Sequence, residues 1–238
     1  MKVEIWSDFM CPFCYIGKRR FEAVLNHFPN KEDVEVVYRS FELDPNASYK
    51  PGVSMTELLA SKYGMSIEQA EASNRNITQQ AAQLGLTYHL DKIIPANSFD
   101  AHRLVHFASQ HDKMKEMTER LFLAYFTETR NLEDKELLAD LAAEIGLSRD
   151  EAASVLNSDT FTSEVRADEE AAQRIGVRGV PFFVLGGKYA VSGAQPEEVF
   201  MDALQKAYGE EKPLVLVNED DNSAGACTDG SCDIPSKS

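Results

Sequence analysis

Strand-like patterns occur near both ends of this chain, and a long helical pattern separates them. An apolar run at residues 3–6, a helix from 12 to about 28 and a β-branched, aromatic run at 33–43 follow one another. This succession is typical of a β-α-β unit with parallel strands. Because residues 52–175 show no convincing strand, a sheet begun by this unit must be completed by strands from beyond the helical stretch.

The second strand-bearing part lies at residues 180–193. Two apolar runs there flank Gly186-Gly187, which predicts a two-residue turn and an antiparallel hairpin. A helix is predicted over 195–208, with Pro196 at a favoured early position. The complete order, β-α-β, helices, then β-β-α, predicts an α/β protein with a thioredoxin-like fold interrupted by a large all-helical insertion.

The helical stretch carries the start and stop signals of several helices. Capping-box spacing occurs at Ser54, Ser66 and Ser148, and glycines suited to helix C-termini stand at 64, 85 and 146. Seven helices are predicted, over 55–63, 67–84, 98–111, 113–128, 132–145, 149–157 and 160–174. The chain then divides into thioredoxin-like parts at 1–51 and 176–208, a helical insertion at 52–175, and an acidic flexible tail at 209–238, in which 213–217 is a possible edge strand.

Composition restricts the partners and the compartment. The net charge of −15 argues against nucleic acid and against an anionic membrane surface, since both would repel the protein. No run approaches the roughly 20 apolar residues of a membrane span, and the N-terminus shows no signal-peptide pattern, so we expect a cytoplasmic protein. In a reducing compartment, clustered cysteine pairs indicate redox or metal chemistry.

Cys11 and Cys14 stand between the first strand and the first helix. If Cys11 is the N-cap, Pro12 falls at the first helical position, where its missing N–H costs nothing. The Cys11 sulfur then faces free N–H groups and the positive end of the helix dipole, which favours the thiolate. Cys14, one turn further on, is placed to resolve a mixed disulfide. We expect a redox pair, with half a zinc site or two ordinary core cysteines as the alternatives.

Val180-Pro181 precedes the hairpin. A proline there must stand at a strand start, because it cannot donate a hydrogen bond into a central ladder. X-Pro bonds are usually trans, so the sequence by itself does not predict a cis bond.

Three motifs together resemble a known family. "SDFMCPFC" at 7–14, "NSFDAHRL" at 97–104 and "GVRGVPFFV" at 176–184 are similar to those of DsbA-like thioredoxin-fold oxidoreductases of the FrnE type. The resemblance covers about residues 2–208. It implies that Cys11 is an exposed nucleophile, that Cys14 resolves, and that Val180-Pro181 is a cis peptide beside them.

The resemblance also bears on substrate contacts. Related 2-hydroxychromene-2-carboxylate isomerases use glutathione, but they carry Ser where this chain has Cys11, which counts against the isomerase function. In those relatives a helix corresponding to 97–104 borders the glutathione pocket, so Asn97 and Arg103 are candidate substrate contacts, with a structural role as the alternative. Pro12 and Phe13, between the two cysteines, are candidate contacts as well.

A second cysteine pair, Cys227 and Cys232, lies in the tail. A turn at Asp229-Gly230 can bring the pair within disulfide distance. Similar Cys-x4-Cys tails in some FrnE-type proteins imply a redox relay with Cys11. A metal clip and an incidental pair are the alternatives.

The sequence therefore predicts a thiol–disulfide oxidoreductase or isomerase that needs no metal and no cofactor, with glutathione as a possible co-substrate. Its partner would be a disulfide- or thiol-bearing protein or small molecule. A monomer and a homodimer are both compatible with the sequence. A glutathione-dependent isomerase or transferase and a non-catalytic zinc-binding protein are the alternative functions.

Overall fold

A computed structural model describes residues 1–49 and 52–211. Its sheet has four strands, β1 (Lys2–Ser7), β2 (Glu35–Ser40), β3 (Phe182–Leu185) and β4 (Tyr189–Ser192). Their order is β2-β1-β3-β4, in which β1 and β2 are parallel and the other two pairs are antiparallel. The two halves of the chain thus meet where β1 pairs with β3.

Helices account for the rest of the regular structure. They are α1 (Pro12–His27), a 3₁₀ turn (Lys31–Asp33), α2 (Met55–Tyr63), α3 (Ile67–Gln83), α4 (Phe99–Ser109), α5 (Met114–Phe126), α6 (Lys135–Glu144), α7 (Arg149–Leu156), α8 (Thr162–Arg174) and α9 (Glu197–Glu211). The predicted thioredoxin-like fold with a helical insertion is confirmed, while the predicted domain boundaries remain a prediction. None of these helices combines the length and the apolar character required to span a membrane.

The central strands bury both faces of the sheet. Val3 and Ile5 belong to one apolar cluster with residues of α1 and α9, whereas Trp6 belongs to another with residues of α8. Successive side chains of a strand point to opposite faces, so one strand serves both layers.

Local signals set the helix ends in the insertion. The capping box of Ser66 and Gln69 forms both of its hydrogen bonds, and Ser148 accepts from the Glu151 N–H. Gly64 ends α2 with φ of +63°, a left-handed conformation that glycine adopts without steric cost.

Three predicted boundaries differ from the structure. β2 is shorter than 33–43, because residues 31–33 form the 3₁₀ turn and the strand ends at Ser40. The hairpin loop has three residues, 186–188, because Leu185 pairs with Tyr189. The last helix extends past its predicted end at 208, since α9 runs through 211 and Glu210 accepts hydrogen bonds from Lys188 and Tyr189 of the hairpin.

The first helix joins the insertion to the sheet. The Tyr15 ring stacks on Phe122 of α5 with centroids 4.9 Å apart and an interplanar angle of 8°. Glu119, also on α5, accepts hydrogen bonds from the Tyr15 hydroxyl and the Lys18 ammonium, each at 2.5 Å, and from Arg19. The insertion is therefore fixed to α1 by ring stacking and by a cluster of charges.

Asp168 of α8 makes a second link to the sheet. Its carboxylate accepts from Arg39 Nη1 at 3.0 Å and from the Ser40 N–H at 3.0 Å, and it lies 3.2 Å from His106 Nε2. The Trp6 indole N–H donates to the Asp168 carbonyl at 2.9 Å. Burial by itself would raise the pKa of Asp168, but the hydrogen bonds from His106 and Ser40 and the charge of Arg39 lower it.

We expect Asp168→Asn to lower the free energy of unfolding at pH 7 by about 2–4 kcal/mol, because it removes the buried negative charge that Arg39, Ser40 and His106 surround. A carboxyl whose pKa is lowered in the folded state stabilises the fold above its unfolded pKa of about 3.9 and loses this effect as pH falls. The difference between wild type and variant should therefore shrink below about pH 4 in urea denaturation followed by circular dichroism. Asp159→Asn, at an exposed position, is the control. A difference that is independent of pH would contradict the assigned charge.

Candidate active site

Cys11 occupies the N-cap position of α1, as the sequence predicts. Its backbone is extended, with φ of −96° and ψ of 113°, and Pro12 begins the helix. The Cys11 side chain makes no capping hydrogen bond to the first turn, and its thiol instead donates to the Val180 carbonyl at 3.5 Å. The predicted contact of the sulfur with the helix N–H groups is therefore absent from this dithiol form, in which the S–H group has a carbonyl acceptor.

Cys14 lies deeper, on the next turn of the helix. The Asp8 N–H donates to its sulfur at 3.5 Å. Burial raises the pKa of the Cys14 thiol well above its usual value, and the adjacent Cys11 sulfur raises it further. Cys14 is therefore a thiol at neutral pH in the reduced protein.

Cys11 is less exposed than the resemblance implies. It is 6% exposed and Cys14 is 2% exposed, and both belong to the apolar cluster of the insertion. The half-buried Pro12, the Val180 carbonyl and the insertion surround the sulfur. Phe13 is 39% exposed and provides an apolar surface at the outer side of the motif.

Val180 and Pro181 lie beside the dithiol, and the peptide bond between them is cis. Gly17, in the second turn of α1, packs against this segment. A Cβ atom at Gly17 would lie 2.9 Å from Pro181 Cγ and 3.4 Å from Phe183 Cζ. The helix and the proline can approach this closely because position 17 has no side chain.

A buried carboxyl lies directly before the dithiol. Asp8 accepts from the Leu43 N–H at 2.7 Å and from the Met10 N–H at 3.1 Å. Burial raises the pKa of Asp8, and these hydrogen bonds oppose the rise. His102 Nε2 lies 3.9 Å from the Asp8 carboxylate, and burial lowers the pKa of His102 to about 4. His102 is therefore neutral at pH 7. The hydrogen bonds that Asp8 accepts fix the loop that carries Cys11.

Tyr88 reaches the motif from the insertion. Its hydroxyl donates to the Pro12 carbonyl at 2.8 Å, and its ring stacks on Phe126 with centroids 4.7 Å apart. Burial raises the pKa of Tyr88 far above its ordinary value. The phenol therefore stays protonated and holds the segment between the two cysteines.

Asn97 and Arg103 make contacts within the protein. Asn97 precedes α4, where it accepts a hydrogen bond from the Phe99 N–H at 2.8 Å, and it donates to the Pro45 carbonyl at 3.1 Å. Arg103 is 3% exposed and donates to the Val155 carbonyl at 2.5 Å, to Asp100 and to other carbonyls near the end of α7. These bonds account for a structural role of both residues, and substrate contact remains a prediction.

Cys227 and Cys232 lie outside the described residues. Within 1–49 and 52–211, no group of three or more His, Cys, Asp or Glu side chains is arranged to hold a metal ion.

Comparisons with known proteins agree with this geometry. Residues 2–205 match the family of DSBA-like thioredoxin domains. The chain belongs to this family. The structure of a probable DsbA oxidoreductase from Streptomyces coelicolor is 44% identical in sequence, with a TM-score of 0.86, and covers 99% of this chain and 100% of that chain. The predicted family and the predicted class of enzyme, an oxidoreductase, are confirmed.

Two further proteins are similar over most of their length. The uncharacterized protein YwbO of Bacillus subtilis is 30% identical over 204 residues, which are 85% of this chain and 94% of that protein. The cytosolic disulfide reductase DsbM from Pseudomonas aeruginosa, in a structure with GSH, has a TM-score of 0.61 and 16% identity, and covers 88% of this chain and 100% of that chain. At that identity, the similarity shows a shared fold.

Three residues of the site were not identified from the sequence. Gly17 had a local signal, since a glycine inside a helix costs about 1 kcal/mol relative to alanine and indicates close packing. Asp8 had a weaker local signal, because the side chain of an aspartate often accepts a hydrogen bond from the backbone N–H two residues later and so forms a turn. Tyr88 had no local signal, since its partner Pro12 is 76 residues away.

We expect Gly17→Ala to lower the free energy of unfolding by about 1–3 kcal/mol, because the added methyl group meets the rigid Pro181 ring. Gly209→Ala is the matched control: it is also helical, but a Cβ atom there has open space, so its stability should rise or stay unchanged. Chemical denaturation of both variants measures the difference. Equal effects of the two substitutions would disprove the close approach at position 17.

Proposed function

We propose that this protein is a thiol–disulfide oxidoreductase in which Cys11 attacks and Cys14 resolves. The Cys11 thiolate attacks one sulfur of a substrate disulfide, a new S–S bond forms, and the other substrate sulfur leaves as a thiolate. Cys14 then loses its proton and attacks the Cys11 sulfur. This step releases the second substrate thiol and leaves a Cys11–Cys14 disulfide, so two electrons pass to the substrate. The reverse sequence oxidises a substrate dithiol.

The observation that carries this proposal is the inequality of the two cysteines. Cys11 stands at the start of α1, at the positive end of the helix dipole, and it is the less buried of the two cysteines. Cys14 is buried, and its thiol pKa is raised. A pair of this kind reacts in a fixed order, because a substrate reaches the less buried sulfur first and the deeper sulfur then resolves the mixed disulfide.

The segment before β3 supports a role in substrate binding. The Val180 carbonyl lies 3.5 Å from the Cys11 sulfur, so a backbone N–H of an extended substrate chain can pair with it during attack. Phe13 adds apolar contact area at the outer side of the motif.

Replacing each cysteine by serine should give different results. Cys11→Ser should reduce the rate of insulin reduction at least about 100-fold, because the nucleophile is lost. Cys14→Ser should also lose turnover but accumulate a mixed disulfide with the substrate, which is visible by mass spectrometry of non-reduced protein. Insulin reduction that persists in Cys11→Ser would refute the proposed function.

The remaining sequence-based expectations stay predictions. They are a cytoplasmic location, a monomer or homodimer, and glutathione as co-substrate. The alternative function, a glutathione-dependent isomerase, would be favoured by tight glutathione binding together with negligible dithiol activity.

We further propose that the tail pair exchanges disulfides with the first pair. The Cys227 thiolate would attack the Cys11–Cys14 disulfide, and Cys232 would resolve the mixed disulfide, leaving a Cys227–Cys232 disulfide and the Cys11–Cys14 dithiol. Atoms and electrons balance without another reactant. The close spacing of the tail cysteines around Asp229-Gly230 supports the pairing.

The proposed relay predicts which cysteine pairs form disulfides after oxidation. When one equivalent of oxidant is added to the reduced protein, peptide mapping should recover both the 11–14 and the 227–232 disulfides at equilibrium. In Cys232→Ser, a disulfide between Cys227 and one cysteine of the first pair should be trapped. The absence of any cross-pair disulfide in that variant would exclude the relay while leaving the first proposal intact.

A further inference from the structure

A cavity of about 630 Å³ lies in the insertion, between α2, α3 and the segment that holds Tyr88. This volume is typical of small-molecule sites and is sufficient for a few residues of a peptide. One wall of the cavity is Tyr88, whose hydroxyl contacts the Pro12 carbonyl between the two cysteines. A substrate chain in this cavity would therefore be one side chain away from the dithiol.

The lining of the cavity is acidic. Among the described lining residues, three are acidic, Glu57, Glu71 and Asp91, and one is cationic, Arg75, which lies 3.6 Å from Glu71. Among the described residues, Glu57 and Asp91 have no cation within ion-pair distance. The cavity therefore carries a net negative charge at neutral pH.

Apolar residues lie in the same lining. Ile67, which is partly exposed to solvent, and Leu90 supply hydrocarbon surface beside the carboxylates. Asn74 and Thr78 add hydrogen-bonding groups suited to a peptide backbone. Lysine and arginine combine a hydrocarbon stem with a cationic head, so these side chains match both parts of the lining.

Glutathione fits this lining poorly. It carries two carboxylates and one ammonium group, so its net charge is negative, and the protein as a whole has a net charge of −15. Both charges disfavour binding of the tripeptide in this cavity.

We propose that this cavity binds a lysine- or arginine-bearing segment next to the reacting cysteine of a protein substrate. This proposal rests on the proposed oxidoreductase function, because it states which class of protein substrate that enzyme would bind. Binding of the segment would position the substrate disulfide near Cys11. Charge in the cavity would then select among disulfide-bearing proteins.

The test measures binding without chemistry, using the full-length protein. Two fluorescein-labelled peptides carry Ser in place of the reacting cysteine and differ in their flanking residues, lysines in one and glutamates in the other. Fluorescence anisotropy at low ionic strength should show that the lysine peptide binds at least about tenfold more tightly. Its affinity should fall as salt is added, because the charges are partly exposed.

Two triple variants separate the cavity from the overall charge. Glu57→Gln, Glu71→Gln and Asp91→Asn together should weaken binding of the lysine peptide about tenfold. The matched control neutralises three exposed acids elsewhere, Glu32→Gln, Asp159→Asn and Glu170→Gln, and should change the affinity less than twofold. The control also removes a weak i,i+4 ion pair, Glu170 with Arg174 at 4.0 Å, so it matches the loss of the Glu71–Arg75 pair in the cavity variant.

The outcomes distinguish this inference from the proposed function. Equal affinity for the two peptides, no binding of either, or equal weakening in both triple variants would overturn the cavity proposal, whatever the enzyme does with disulfides. Charge-selective binding by a protein that fails to reduce insulin would instead uphold the cavity and overturn the oxidoreductase. If the protein is an oxidoreductase, a disulfide form of the lysine peptide should react faster than the glutamate form with the wild type and the control variant, and should lose this advantage with the cavity variant.

Discussion

Helix α1 packs against two apolar cores at once, and the dithiol stands where they meet. On one side Phe21 contacts Phe183 and Phe200 over the sheet, with ring centroids 5.6 and 5.7 Å apart. On the other side Tyr15 stacks on the rings of the insertion. Both contacts are large and apolar, so the helix cannot shift toward one core without leaving a gap in the other. This double constraint fixes the position of the helix N-terminus and therefore of the Cys11 sulfur.

Polar contacts complete the junction between the insertion and the sheet. The Asp168 carboxylate accepts hydrogen bonds from Arg39 and Ser40 of β2 and lies 3.2 Å from His106 of α4. The Asp8 carboxylate, in the loop that leads to the dithiol, accepts from two backbone N–H groups. Each buried carboxylate has donors around it, which offsets the cost of removing it from water. The Asp8 N–H also donates to the Cys14 sulfur at 3.5 Å, so the segment that these bonds hold is in direct contact with the dithiol.

The insertion contributes both structure and recognition. Its rings bury Cys14 and raise the pKa of that thiol, while Tyr88 connects the motif to an acidic cavity. The segment before β3 supplies the Val180 carbonyl, 3.5 Å from the Cys11 sulfur. The Cys11 sulfur is therefore bordered by two separate parts of the chain. The proposed chemistry takes place at this sulfur, and the proposed selection of substrates takes place at the cavity.

The sequence by itself determined the order of strands and helices, the placement of Cys11 and Pro12 at a helix start, and most helix ends. These features depend on periodicity, on capping groups and on backbone preferences that act within one or two turns. The tertiary structure decided what surrounds the dithiol. It brings the Val180 carbonyl to Cys11, 169 positions away in sequence, and it packs Gly17 closely against Pro181. It also places the Arg103 guanidinium where it donates to carbonyl groups inside the insertion. Such contacts follow from how two cores pack against one helix, and side chains so distant in sequence leave no periodic or local signal of their meeting.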